Sequence, residues 1–223
     1  MAGRVLVEGE ADDRLAELGL SVELIERVVR RADAEASICT PLDPPILEGL
    51  TRWGRTTRFL REELIPAGWG FDNPRNLART IHPSGEFAIV ATSGDELTGV
   101  AGQLGQADLR PTTKYPKGYA TVRAVECNEQ LTLDFEDFEL PDNARAADAG
   151  AVLTWLLMFH VDEDGFRVEL SLPDAIVDGR ITSWAERILL PLYPREDDTI
   201  DSVKTPDDGD DQDGGIVVEV NRR

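Results

Sequence analysis

A continuously apolar run at residues 151–161, "AVLTWLLMFHV", constrains the fold of this chain more than any other feature. The turn sequence "DEDG" follows it, and "FRVELSL" at residues 166–172 then alternates apolar and polar side chains. A continuous apolar run joined by a tight turn to an alternating run is typical of a β-hairpin in which one strand is buried on both faces. The sequence therefore predicts a central strand inside a sheet that is covered on both sides.

Three further segments have the composition of β-strands. They are residues 86–92 "EFAIVAT", residues 119–126 "YATVRAVE" and residues 130–140 "QLTLDFEDFEL". Each contains β-branched residues or alternates apolar with polar ones, and the turn sequences "SGDELTG" and "YPKG" lie between the first and second. Together with the hairpin, this spacing predicts a mainly antiparallel sheet of five or six strands.

Helical periodicity marks the N-terminal part of the chain. Ser21 is the expected N-cap of a helix through residue 37, which ends at "TPLDPP". A second helix is predicted from Pro45 to Leu64, and the two helices should form an antiparallel hairpin. Ser183 and Glu186 form a capping-box pattern that predicts a short third helix over "WAERILL".

These elements define an α+β fold in which an N-terminal helical hairpin packs on a mainly antiparallel sheet, with a short C-terminal helix and an acidic tail. Residues 1–195 are predicted to form a single α+β globular domain. Residues 196–215 contain almost no large apolar side chains, which predicts an acidic flexible linker or tail. The apolar "IVVEV" that follows predicts an edge strand within residues 216–223.

Charge and composition limit where this chain acts. The chain has a formal net charge of −20 and is 41% hydrophobic, so we expect a globular protein that is not attracted to nucleic acid or to anionic membranes. The N-terminus lacks a basic segment followed by an apolar one, and no long apolar run is present, which predicts a cytoplasmic protein outside the membrane. Cys39 and Cys127 are interpreted as small buried hydrophobic residues, and no cofactor is predicted.

An arginine-rich segment at residues 51–62, "TRWGRTTRFLRE", stands out in so acidic a chain. A helical projection places Ile46, Leu50, Trp53, Leu60 and Leu64 on one face. Four arginines spread over the opposite face: Arg52, Arg55, Arg58 and Arg61. They form either a solvated face paired with nearby carboxylates or, together with Arg75 and Arg79, a surface that binds phosphates or the acidic surface of a partner.

Carboxylates cluster around the predicted hairpin and offer a second candidate site. Asp162, Asp164 and Glu169, with Asp134 on a neighbouring predicted strand, could hold Mg²⁺ or Mn²⁺ for hydrolysis. Asp and Gly are also ordinary hairpin-turn residues, so the same pattern is explained without any metal. None of the three lysines follows an acidic residue by two positions, which argues against the restriction-type nucleases.

Protein–protein interaction is the function that this pattern favours, and an enzymatic role is less favoured. We expect an accessory or adaptor protein that binds another protein through the arginine face or the acidic tail. The expected setting is a bacterial nucleic-acid-processing, mobile-element or defence assembly, without direct nucleic-acid binding. Two alternatives remain: a divalent-metal-dependent hydrolase or nuclease-like enzyme, and an acidic protein that mimics DNA as an inhibitor.

Overall fold

The fold is given by a computed structural model that describes residues 3–102, 110–137 and 152–194, with backbone alone at residues 131–137. The predicted acidic tail at residues 196–215 and the predicted edge strand at residues 216–223 lie outside the described residues. In the described ranges, every helix is too short or too polar to cross a membrane.

Helices and strands together make an α+β fold, as predicted. The helices are α1 (Glu8–Glu17), α2 (Val22–Ala36), α3 (Leu47–Leu64) and α4 (Tyr119–Asp137). The strands are β1 (Arg4–Leu6), β2 (Gly70–Asp72), β3 (Arg79–Ile81), β4 (Phe87–Ser93), β5 (Leu153–Val161), β6 (Phe166–Val177) and β7 (Arg180–Leu189). They form one sheet in the order β1-β7-β6-β5-β4-β3-β2.

The sheet is mixed, so the prediction of a mainly antiparallel sheet needs correction. β4 pairs with β5 in parallel, and β1 pairs with β7 in parallel, whereas the other neighbours are antiparallel. The parallel pair at the centre arises because α4 lies between β4 and β5 in the chain and carries the chain back to the same end of the sheet.

Strand β5 lies in the middle of the sheet and is buried on both faces, which confirms the prediction for residues 151–161. On one face Trp155, Leu157 and Phe159 pack into a core with side chains from α1, α2 and α3. On the other face Leu156 and Met158 pack into a second core with Val125 of α4. Both faces of the central strand are therefore covered by helices.

Helix α4 occupies residues 119–137, where strands were predicted at residues 119–126 and 130–140, and residues 138–140 lie outside the described residues. The β-branched residues of this segment suggested strands, but tertiary packing overrides that preference. Ala120, Ala124 and Val125 pack against the second core at helical spacing, and Asn128 is buried on the same helix. Asn128 donates hydrogen bonds of 2.9 and 3.0 Å to the carbonyl oxygens of Thr154 and Pro173, which fixes α4 to the sheet.

The predicted C-terminal helix is wrong, because residues 180–189 form strand β7. The capping-box pattern at Ser183 and Glu186 does not begin a helix here. β7 pairs with β6 after a tight turn at Asp178 and Gly179, whose φ angles of 50° and 74° are those of an Asp-Gly hairpin turn. Asp-Gly between two apolar segments is a strong hairpin signal that the sequence prediction did not use. The carboxylate of Glu186 instead accepts a 2.8 Å hydrogen bond from Arg14 of α1.

A buried ion pair joins β6 to β7 on the face of the sheet opposite α1, α2 and α3. Glu169 is 0% exposed, and its carboxylate accepts two hydrogen bonds from the guanidinium of Arg187, from Nη2 at 2.5 Å and from Nε at 3.2 Å. The hydroxyl of Ser171 and the backbone N–H of Gly99 also donate to this carboxylate, at 2.9 and 2.8 Å. Four donors around one buried carboxylate offset the cost of removing its charge from water.

Substituting Glu169 tests this arrangement. We expect Glu169→Gln to lower the free energy of unfolding by about 3 to 5 kcal/mol, because it leaves the buried Arg187 charge without its carboxylate. The double variant Glu169→Leu/Arg187→Met should recover much of this loss, since it removes both charges. Urea denaturation measures the free energy of unfolding of the wild type and of both variants. A value for Glu169→Gln within about 1 kcal/mol of the wild type would contradict the assignment.

Candidate functional site

Helices α2 and α3 lie antiparallel, and ion pairs connect them along their length. Ser21 caps α2 as predicted, with its hydroxyl accepting a 3.2 Å hydrogen bond from the N–H of Leu24. Arg31 near the middle of α2 contacts Glu62 and Glu63 near the end of α3 at 3.0 and 3.3 Å. Acidic and basic side chains of the two helices therefore neutralise each other across the contact.

The first two arginines of the arginine-rich segment face α2. Arg52 is almost fully buried and donates hydrogen bonds to Asp33 at 2.7 Å and to Glu48 at 2.5 Å. Arg55 contacts Glu35 at 2.5 Å. The expectation that Arg52 faces solvent is therefore wrong, because α2 covers this side of α3.

The last two arginines of the segment also bind oxygen atoms of the same chain. Arg58 is exposed and donates a 2.7 Å hydrogen bond to Glu62, one turn further along α3. Arg61 donates to the side-chain oxygen of Asn73 at 2.8 Å and to the carbonyl oxygens of Asp72 and Arg79 at 3.1 and 3.2 Å. Burial lowers the pKa of Arg61, and nearby Asp72 opposes this effect.

The apolar face of α3 is only partly where the helical projection placed it. Leu60 and Leu64 are buried as predicted, but Ile46, Leu50 and Trp53 are exposed, whereas Phe59 is buried. The indole N–H of Trp53 donates a 2.9 Å hydrogen bond to the carbonyl oxygen of Ala91 in β4. The buried face therefore changes along the helix, and the first turns of α3 leave their apolar side chains in solvent.

Exposed apolar side chains gather where α2 turns into α3. We call residues 38–53 the hairpin tip. Leu42 is 97% exposed, Ile38 is 75% exposed and Ile46 is 65% exposed. Leu47, Leu50 and Trp53 are exposed as well. Single exposed apolar residues are ordinary, but six within one short segment are typical of a surface that binds another molecule.

The connection that carries Leu42 is held in one conformation. The backbone N–H of Asp43 donates to the carbonyl oxygen of Thr40 at 2.9 Å, and the N–H of Thr40 donates to the Asp43 carboxylate at 2.8 Å. Pro41, Pro44 and Pro45 restrict the backbone on either side. A depression of about 380 Å³ lies beside this turn. The tip therefore presents its apolar side chains on a rigid support.

The predicted carboxylate cluster does not assemble among the described side chains. Asp162 binds Arg167 and accepts a 3.1 Å hydrogen bond from the N–H of Asp164, as in an ordinary turn. Glu169 is committed to Arg187, and Asp134 lies in α4 rather than on a strand. In the described part of the chain, no three His, Cys, Asp or Glu side chains are placed to hold a metal ion.

Arg75 and Arg79 belong to the segment that follows β2, and the carbonyl oxygen of Arg79 accepts a 3.2 Å hydrogen bond from Arg61 of α3. They line a cleft between α4 and the segment from Pro74 to Arg79. Arg79 donates hydrogen bonds of 2.8 and 2.6 Å to Asp72, and these bonds lower the pKa of the Asp72 carboxyl. Of the six arginines that the sequence suggested as one surface, Arg61 and Arg79 are in contact, whereas Arg52 lies against α2 and Arg75 lines the cleft.

Sequence reasoning missed both the hairpin tip and the cleft. The apolar residues of the tip were assigned to the core because the helical projection cannot show where the sheet beneath α3 ends. Cys39 lies in the tip and Cys127 lines the cleft, and both are partly exposed rather than buried as predicted. The run of prolines beside Leu42 was the one available signal.

Comparison of the chain with protein-family models, with curated proteins and with solved structures finds no significant match.

Two matched substitutions distinguish the buried arginine from the exposed one. We expect Arg52→Gln to lower the free energy of unfolding by about 1.5 to 3 kcal/mol, because charge-assisted hydrogen bonds to Asp33 and Glu48 are lost. Arg58→Gln should leave it almost unchanged, since its pair with Glu62 is exposed to water. Arg and Gln have similar helix propensities, so urea denaturation reports the contacts. Equal losses in the two variants would contradict this ranking.

Proposed function

We propose that this protein is a non-enzymatic accessory or adaptor protein that binds a partner protein through the hairpin tip. The observation that carries the proposal is the group of exposed apolar side chains on the rigid α2–α3 connection. A rigid apolar surface binds with a low entropic cost, because little ordering is needed when the complex forms. Leu42, Ile46 and Leu50 are the residues expected to contribute most to binding.

Charge selects the kind of partner. Residues 32–51 contain four acidic residues, Asp33, Glu35, Asp43 and Glu48, and no lysine or arginine. Arg52 and Arg55 neutralise two of these charges, which leaves the tip apolar and net negative. The proposed partner therefore has an apolar patch bordered by basic residues. A second copy of this chain is disfavoured because it would bring the same negative charges to the contact.

The wider setting follows from the same charge argument. Proteins that process nucleic acid have basic surfaces, because they bind phosphates. We therefore retain a bacterial nucleic-acid-processing, mobile-element or defence assembly as the proposed setting. The two alternatives have less support: Glu169 is occupied by Arg187, and many described carboxylates are paired with arginines rather than arranged as free charges.

Site-specific photo-cross-linking tests the proposed surface. Benzoylphenylalanine in place of Leu42 should give one discrete adduct in cells of the source organism, because this side chain would lie at the centre of the contact. The same group in place of Val177, an exposed residue at the end of β6, should not give that adduct. An adduct formed by two copies of this chain would contradict the proposal.

The cross-linked protein must then be shown to bind through the tip. With both proteins purified, Leu42→Asp and Leu50→Asp should each weaken the complex by about tenfold or more, because each places a charge in an apolar contact. Val177→Asp is the matched control and should leave the dissociation constant unchanged. Binding should also weaken as salt is raised, since the charges are complementary. Insensitivity to both tip substitutions would overturn the assignment.

A further inference from the structure

The cleft between α4 and the segment Pro74–Arg79 has a lining unlike the rest of this acidic chain. Its volume is about 420 Å³, within the usual range for small-molecule sites. Three arginines line it, and none of its lining residues is acidic, although the chain contains 43 Asp and Glu residues. A concave surface lined by one sign of charge concentrates ligands of the opposite sign.

Arg75 is the arginine of this cleft whose charge is least compensated. Arg79 is bound to Asp72, and Arg123 contacts Glu126 at 2.6 Å. Arg75, in contrast, has no hydrogen bond or ion pair with any residue in the described part of the chain. Its guanidinium lies over the ring of Tyr119, 5.3 Å from the centroid, so its N–H groups are available to a ligand.

The backbone of Arg75 has an unfavourable conformation. Arg75 and Asn76 have φ angles of 49° and 65°, in the left-handed region that non-glycine residues seldom adopt. Hydrogen bonds from the N–H groups of Asn76 and Leu77 to the carbonyl oxygens of Asn73 and Pro74, at 3.3 and 2.9 Å, close this turn. Backbone strain of this kind is concentrated at functional sites.

The other walls of the cleft suit the remainder of an anionic ligand. Tyr119 and Ala120 begin α4, so the positive end of a 19-residue helix lies at the cleft. Leu77, Ala124 and Val152 provide apolar surface, and Tyr119 adds an exposed aromatic ring. The cleft therefore combines guanidinium groups, a helix N-terminus and an apolar wall.

We propose that this cleft binds a phosphorylated small molecule of mononucleotide size, with the phosphate at Arg75 and the planar part against Tyr119. The guanidinium fork matches the geometry of phosphate oxygens and donates charge-assisted hydrogen bonds to them. This site is separate from the hairpin tip, and the inference does not depend on the adaptor function.

Calorimetric titration of the full chain with AMP tests the site directly. AMP should bind, ribose 5-phosphate should bind more weakly because it lacks the planar base, and adenosine should bind at least about tenfold more weakly because it lacks the phosphate. Raising the salt concentration should weaken AMP binding.

A matched pair of variants distinguishes this cleft from any other positive surface. Arg75→Gln should weaken AMP binding by about tenfold or more. Arg58→Gln, which changes an exposed arginine of α3, should leave AMP binding unchanged. The thermal midpoints of both variants should stay close to that of the wild type, since neither residue is buried.

Several results would overturn the assignment. They are equal binding of AMP and adenosine, inorganic phosphate binding as tightly as AMP, equal effects of the two substitutions, and no heat from any phosphorylated probe at millimolar concentration.

Discussion

The fold depends on one requirement: strand β5 is apolar on both faces and must be covered on both. Helices α1, α2 and α3 cover one face, and α4 covers the other. This requirement explains the mixed sheet, since α4 must cross from the end of β4 to the start of β5 and so makes that pair parallel. It also explains why both candidate binding surfaces lie away from the sheet centre. The hairpin tip lies where α2 ends and α3 begins. The cleft lined by Arg75, Arg79 and Arg123 lies beside the first turns of α4.

The buried charges of Glu169, Arg187 and Arg52 are paired, which distinguishes these structural charges from charges that are available for binding. Glu169 and Arg187 bind each other between β6 and β7, and Arg52 binds Asp33 and Glu48 between α2 and α3. These residues are therefore part of the scaffold, although sequence alone made two of them candidates for function. What remains for binding is apolar surface at the hairpin tip and the Arg75 guanidinium in the cleft.

The sequence predicted those elements whose signals are local. The continuous apolar run identified β5, the alternating run identified β6, and Ser21 identified the start of α2. It failed for α4, because the β-branched residues there suggested strands, whereas Ala120, Ala124 and Val125 pack at helical spacing on a sheet that the sequence cannot show. It failed for β7, because a capping-box pattern was preferred over the Asp-Gly turn at residues 178–179. The exposure of Ile46 and Leu50 could not be predicted, since it depends on where the sheet under α3 ends.

Alkylation of the two free thiols of one chain tests whether the partner binds at the hairpin tip. Cys39 lies in the hairpin tip, and Cys127 lines the cleft beside α4. Both are partly exposed. The reaction rate of each thiol is measured by mass spectrometry with and without the purified partner. A partner bound at the hairpin tip should slow the alkylation of Cys39 and leave that of Cys127 unchanged. An unchanged rate at Cys39 in a saturated complex would show that the partner binds elsewhere and would contradict the account.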